Sequence, residues 1–360
     1  MPRAGHQVTP DHGRWRAAMA AVLVCMSLAG CSSSGTGIGA GPTASVSPRA
    51  ASPIHLFYSA NSMDPTSITN GPDGNLWFTD AATPDQIGRI NTSGAISEFA
   101  NPSLNNPRDI TAGPDDALWF VNLGTKKSTT SGSIGRVTTS GSFSNFTGPY
   151  VHLPVSISAG PDGNLWFMDN QGVSRVTPQG AIKFFSLAGV VPGLTQPNDI
   201  TRGPDGNLWF SDGGLVSGHI VRLTPAGAMT GFTASGIAHP FGIAAGPDGN
   251  VWFTSIGNSA AGGHDSSAIG KITPTGSITL FTDSRLNVPR DITTGPDGNL
   301  WFADEGDHSI GKITPAGVFS YFKIEGYGRP TSLAIGPDGN VWFTYPSFSI
   351  RGGIGRLTIS

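Results

Sequence analysis

ITNGPDGNLWFTDAATPDQIGRINTSGAISEF, residues 68–99, returns almost word for word as ITTGPDGNLWFADEGDHSIGKITPAGVFSYF at 292–322. The tryptophan makes the repetition easy to follow. Leaving aside Trp15, it falls at 77, 119, 166, 209, 252, 301 and 342, each time inside a GPD-x-x-[LV]-WF frame. Seven units of about 43 residues leave a helical repeat or a four-stranded unit as the choices. Local pattern decides between them. Each unit is a chain of short apolar stretches cut by PDGN and TPxG turn signals, with no 3.6-residue period sustained over three turns. The unit therefore reads as an antiparallel meander of four strands, A to D.

One such meander cannot bury both of its faces. It has to stack on copies of itself, with Trp and Ile between neighbours, and a radial array of such stacks is a propeller. The predicted fold class is all-β, a seven-bladed β-propeller of four-stranded antiparallel blades over residues 54–360. The last copy reaches only strand C, in IGRLTIS at 354–360, while IHLFYS at 54–59 resembles the strand D of other copies, such as ITLFTD at 278–283. An N-terminal strand completing the last blade, and so closing the ring, is the expectation.

Composition agrees with a turn-rich, weakly charged surface. Of 360 residues 51 are Gly and 12% are charged, against roughly 25% charged in an ordinary soluble domain. The net charge of -3, with no run of Lys or Arg, offers no footprint for nucleic acid. At the N-terminus, Arg14 and Arg16 precede AAMAAVLVCMSLAG, too short to span a bilayer and placed as a signal peptide is. It runs into Leu28-Ala29-Gly30-Cys31, which resembles the lipobox of bacterial lipoproteins. The resemblance implies a lipoprotein signal peptide over 1–30, lipidation of Cys31, and a chain exported to the outer face of the bacterial cell membrane, touching it only through its anchor. Residues 31–53, rich in Ser, Gly, Ala and Pro, read as a flexible tether. Cys25 would leave with the leader, so no disulfide is expected.

The A–B and C–D turns are short and nearly identical between copies, and they share one end of the ring. The B–C and D–A connections at the other end hold the length differences, at 123–133, 187–196, 213–219 and 256–268. Variation in a repeat protein gathers on the face that binds. That face carries the pair after each strand-A Pro, which includes Arg108-Asp109, Asn198-Asp199 and Arg290-Asp291. These are candidates for holding a polar ligand, or for neutralising one another in a watery channel. The residue ending strand B is Asp80, Asn122, Asp169, Asp212, Ser255, Asp304 or Tyr345, a recurrence that reads as structural satisfaction of turn N–H groups. Blade 6 adds Asp304, Glu305, Asp307 and His308, with His239, His264 and Asp265 in blade 5. A His with carboxylates is chemistry for a cation or a general base, although the spacing matches no metal motif.

The unit P-x-x-I-T-x-G-P-D-G-N-L-W-F-T-D…I-G-R-I-T-x-x-G-x-I-x-x-F resembles the repeat of the virginiamycin B lyase (streptogramin B lyase) family over 54–360. The resemblance implies a seven-bladed propeller and, in the family's enzymes, opening of a cyclic depsipeptide by elimination. There Mg²⁺ polarises the ester and a base takes the proton beside the carbonyl. The family's catalytic His and Glu positions fall here on Arg290, Thr331, Arg329 and a site near Pro346. Arg stays protonated near neutral pH and cannot serve as a base. Glu305 stands at one of these offsets, one blade early.

Two functional expectations follow. One is a monomeric binding module for a small polar ligand, glycan, peptide or protein on the B–C/D–A face, with no cofactor. The other is a Mg²⁺-dependent lyase, or a lactonase-like hydrolase, whose site has moved to Asp304, Glu305, His308 and His264.

Overall fold

The computed structural model describes residues 53–61, 63–124, 132–190, 194, 196–214, 218–257, 267–326, 328–346 and 351–359. Residues 1–30, Cys31 and the tether up to residue 52 lie outside the described residues. So do His264 and Asp265, and much of the variable B–C loops. Among the described residues, 28 strands form seven separate four-stranded antiparallel sheets. Blade 1 comprises β2 (Pro65–Asn70), β3 (Leu76–Asp80), β4 (Gln86–Ile90) and β5 (Ile96–Ala100). Blades 2 to 6 repeat that order over 107–146, 156–186, 197–232, 240–281 and 289–323. Blade 7 takes three strands from the C-terminal end, β26 (Ser332–Ile335), β27 (Val341–Tyr345) and β28 (Gly353–Leu357). Its fourth is β1 (Ile54–Phe57), antiparallel to β28 with Ile54 opposite Leu357 and Phe57 opposite Ile354.

The GPDGNLWF sentence explains itself in three dimensions. Strand B is buried along its whole length, and all seven repeat tryptophans are 0–1% exposed. Each indole lies against the strand-D Phe of its own blade, with ring centroids 5.1–5.6 Å apart. Its other contacts reach the next blade: Trp77 clusters with Ile110, Leu118 and Phe120, and Trp252 with Ile292, Leu300 and Phe302. A buried indole N–H needs an acceptor, because leaving it unpaired costs about 1–3 kcal/mol. The Asp of each PDGN turn supplies it, at 2.9–3.1 Å in all seven copies. The strand-C Arg or Lys closes the unit in most blades, pairing with that Asp while lying over the Trp ring, as Arg89, Arg175, Lys271 and Lys312 do.

Blade 2 tests the rule by departing from it. GPDDA replaces GPDGN, so Asp116 sits where the others carry Gly, at φ 54°. Asp is among the few side chains that tolerate that conformation. Asp115 still accepts from Trp119, and Arg136 Nε takes the oxygen that an Asn amide occupies elsewhere, at 2.6 Å.

In the last blade the stacking partner of Trp342 is Phe57, on β1, with centroids 5.3 Å apart. Replacing Phe57 with Ala removes that stack from a half-buried position. It should lower unfolding stability by about 1–3 kcal/mol in urea titration, and deleting residues 53–57 should broaden the transition. An unchanged midpoint for both variants would show that the ring does not depend on this strand.

Candidate functional site

Strand A of every blade lines the central channel. In five blades the A–B pairing slips just after the strand-A Pro: between Pro65 and Ser67, Pro107 and Ile110, Pro197 and Asp199, Pro240 and Ile243, and Pro289 and Ile292. A bulge inserts an extra residue and re-aims its side chain. Here it turns the variable pair toward the channel mouth, where a cavity of about 500 Å³ opens. Of the residues singled out in the sequence, Arg108, Asp109, Asn198, Asp199, Arg290, Asp291 and Glu305 line this cavity. Phe241, Thr331 and Pro346 join them.

The second residue of each pair forms one belt around the channel: Ser67, Asp109, Ser156, Asp199, Gly242, Asp291 and Ser332. Asp109 accepts from Ser67 Oγ at 2.8 Å and Ile110 N at 2.9 Å, and with its other oxygen from Ser156 Oγ at 2.9 Å and Ile157 N at 2.8 Å. Asp199 lies 2.9 Å from the same Ser156 Oγ, whose single proton serves one of the two carboxyls at a time, and it accepts from its neighbour Ile200 N and from Ile243 N of the next blade at 3.0 Å. Asp291 accepts from Ile292 N, Ser332 Oγ and Leu333 N. Ser332 Oγ in turn accepts from Ile68 N and so joins blade 7 to blade 1. The carboxylates are therefore inter-blade staples. The belt lacks a side chain only at Gly242, where a Cβ would fall 2.5 Å from the Arg290 carbonyl oxygen: the two strands touch backbone to backbone. A second set of latches lies beside it. Thr79 and Thr254 donate to the carbonyls of Arg108 and Arg290 in the next blade, at 2.7 and 2.6 Å, and Ser211 donates to that of Phe241.

Enclosure of three carboxyls in one ring has an electrostatic cost. Desolvation raises Asp109 and raises Asp291 to about 6. Desolvation, then the charges of Asp109 and Asp291, lift Asp199 well above its ordinary value.

Arg–Asp neutralisation within each pair does not occur. Arg290 turns away from Asp291 and donates its Nε to Glu305, with its guanidinium over the Phe241 ring at 4.8 Å. Glu305 is 8% exposed, and its other oxygen lies 3.7 Å from Arg329 Nη1. Arg108 is exposed at the opposite side of the mouth. Asn198 spends its amide on the Pro240 carbonyl at 2.7 Å.

Two candidates do not reach the cavity. Asp304 is 0% exposed and pins the D–A loop by accepting from Asn287 N at 3.0 Å, with desolvation raising its pKa to about 8. His308, at φ 52°, sits in the B–C turn itself, where its carbonyl accepts from Ile324 N, and it does not line the cavity. The B–C hairpin divides the DEGDH cluster, because only Glu305 follows strand B toward the axis, while Asp307 pairs with Lys323 on strand D. His239 precedes strand A of blade 5 and does not line the cavity. Other aspartates that end strand B behave like Asp304: Asp80 accepts from Asp64 N and Ala82 N, and Asp212 from Gln196 N and Gly214 N. The serines of the belt counted in the sequence only as members of the post-proline pairs, and the Thr/Ser latches of strand B were not singled out. Aligning the second residue after each strand-A Pro displays the Ser/Asp alternation, but only closure of the ring makes those side chains meet.

The donor set does not fit a Mg²⁺ ion. The belt carboxylates are filled by N–H and O–H donors, and Glu305 faces two guanidinium groups. Among the described residues, no group of three His, Cys, Asp or Glu side chains is arranged to hold a metal.

These ionisations predict an unusual pH profile. A carboxyl whose pKa rises on folding binds its proton more tightly in the native chain, so stability falls as pH rises from the unfolded value toward the raised one. Asp80 and Asp291 place that window between 3.8 and about 6, and Asp304 extends it to about 8. The turn aspartates act in the opposite sense. At Asp73 burial alone would raise the pKa, but hydrogen bonds from Trp77 and Asn75 leave it lowered, so that contribution is lost below 3.8. Melting temperature should therefore peak at about pH 4 and decline toward about pH 8, with Asp291→Asn flattening the part of the decline below about pH 6. A melting temperature that climbs steadily across that range contradicts this account.

The comparisons with known proteins agree with the geometry. The sequence profile described as the Virginiamycin B lyase family matches residues 38–263 and 260–360. No curated protein matches the sequence. Among solved structures, a streptogramin B lyase aligns at 27% identity with a TM-score of 0.72, over 85% of this chain and 97% of its own. A catalytically inactive variant of virginiamycin B lyase from Staphylococcus aureus, solved with quinupristin, aligns at 28% identity and TM-score 0.72, over 85% and 99%. A gluconolactonase from Xanthomonas campestris, at 12% identity and TM-score 0.53 over 85% and 89%, shares the fold alone. With seven blades, the GPD and WF of the repeat in each of them, and a profile match from residue 38 to residue 360, this chain belongs to the virginiamycin B lyase family.

Proposed function

We propose that this family member is an exported, lipid-anchored binding propeller that holds a small polar ligand at the channel mouth and does not carry out the family's elimination. One observation carries the reading: where the resemblance implies catalytic His and Glu residues, the cavity presents Arg290 and Thr331, with Arg329 and Pro346 beside them. Among the described residues, no histidine lines the cavity. Apart from the belt, two carboxylates line the mouth, Asp64 and Glu305, and Glu305 is engaged by two guanidiniums. The domain acts as a monomer on the outer face of the membrane, tethered through Cys31.

A lyase or lactonase-like hydrolase with a relocated site is the second reading, and the position of Glu305 inside the cavity favours it. The proposed partners Asp304 and His308 do not line that cavity, so Glu305 would have to act without them.

Incubation of the soluble domain with quinupristin and Mg²⁺, followed by chromatography and tandem mass spectrometry, separates the two. Elimination opens the ring without change of mass, whereas hydrolysis adds one water. Unchanged quinupristin is expected. Turnover that disappears in Glu305→Ala would replace the binding reading with the enzymatic one. For the anchor, Cys31→Ala should move the protein from the membrane fraction to the soluble fraction of an expressing bacterium; retention in the membrane would remove lipidation from the proposal.

A further inference from the structure

Arg290 is held in a way that leaves one side of it unused. Its Nε donates to Glu305, and Phe241 supports the face of the guanidinium at 4.8 Å. Glu305 is kept in place from its other oxygen by Arg329 at 3.7 Å. No described residue accepts from Nη1 or Nη2 of Arg290, and the side chain lines the cavity. Arg108, exposed on the same cavity, has no described acceptor either. An arginine ordinarily loses rotamer freedom when it binds. This one has already lost it, through a stack and an ion pair that fix the plane of its fork.

We propose that Arg290 is the specificity residue of the channel mouth, and that the ligand presents a carboxylate to its terminal amino groups, with Arg108 supplying a second positive charge across the opening. The inference rests on the binding reading above and names the chemical class of its ligand. A planar carboxylate matches the guanidinium fork with two parallel N–H···O bonds, each charge-assisted. The acidic belt below does not cancel the attraction. Both Asp109 oxygens are engaged by backbone N–H and serine hydroxyl groups, and the net charge at the rim, counting Arg108, Arg290 and Arg329 against Glu305 and Asp64, is positive. The belt also limits how deep an anion can go, so the carboxylate stays at the rim while the rest of the ligand reaches toward Phe241 or outward.

The test uses the whole soluble propeller with citrate as the carboxylate probe and inorganic phosphate as the competing oxyanion, each titrated by isothermal calorimetry at constant ionic strength. Saturable citrate binding is expected, weakened about tenfold or more in both Arg290→Gln and Arg290→Lys, since Lys keeps the charge but loses the fork. Arg108→Gln should weaken binding less. Phosphate binding as tightly as citrate, with Arg290→Lys unaffected, would mean general charge attraction and overturn the assignment. Equal citrate binding in the wild type and Arg290→Gln would overturn it too, as would no binding at all. Circular dichroism and melting temperature show whether each variant remains folded. Absence of citrate binding together with absence of quinupristin turnover would leave a binding propeller whose ligand is not a carboxylate, whereas turnover of quinupristin removes the binding reading itself.

Discussion

The bond from each buried indole N–H to the turn aspartate four residues earlier is the constraint on which the rest of this molecule rests. It lets a Trp lie wholly inside the protein without an orphaned donor, and it fixes the PDGN turn against the strand that the turn initiates. Once the ring is seated, one face stacks on the strand-D Phe of its own blade and the remaining surface packs on the next. Each blade is thereby completed by its neighbour. Seven copies of one local solution make a closed ring, and the stack of Trp342 on Phe57 lets chain segments nearly three hundred residues apart share the last sheet.

Symmetry is strict where blades pack and broken where the channel opens. The bulges after the strand-A prolines mark that boundary, because they release one or two residues per blade from the ladder and turn them inward. The belt that results is mostly architectural. Its aspartates accept hydrogen bonds from their own strand and from adjacent blades, and the measure of their confinement is the rise of all three carboxyls above ordinary values. Of the residues one position earlier, Asn198 bonds the Pro240 carbonyl, whereas the two arginines are not used up in this way. Arg108 and Arg290 remain at the mouth, and only Arg290 is given a fixed pose, by Phe241 and Glu305.

Much of this was legible in the letters. The Trp spacing, the turn dipeptides and the lack of helical period are local properties, so they announce blade number and strand order directly. The face that carries the site was legible as well, since length variation and the post-proline pairs fall at one end. The roles within that face were not. Asp304 and Glu305 are adjacent in sequence and similar in chemistry, yet one is buried under the D–A loop and the other faces the channel. Arg290-Asp291 reads as an ion pair and is instead two residues turned to different partners. Alternation of side chains along a strand and the bulge that interrupts it decide such matters, and neither is written in residue type.

By itself, then, the sequence determined the repeat, the meander, the radial stacking and the strand that completes the last blade, because each follows from periodicity and from the need to bury an amphipathic sheet. Only the tertiary structure decided which carboxylates staple blades and which face the ligand, that Gly242 lets two strands of the belt touch backbone to backbone, and that Arg290 is braced by residues from its own blade and from blade 5. Those outcomes depend on distances across the channel between chain segments forty or more residues apart, and such distances exist only once the ring has closed.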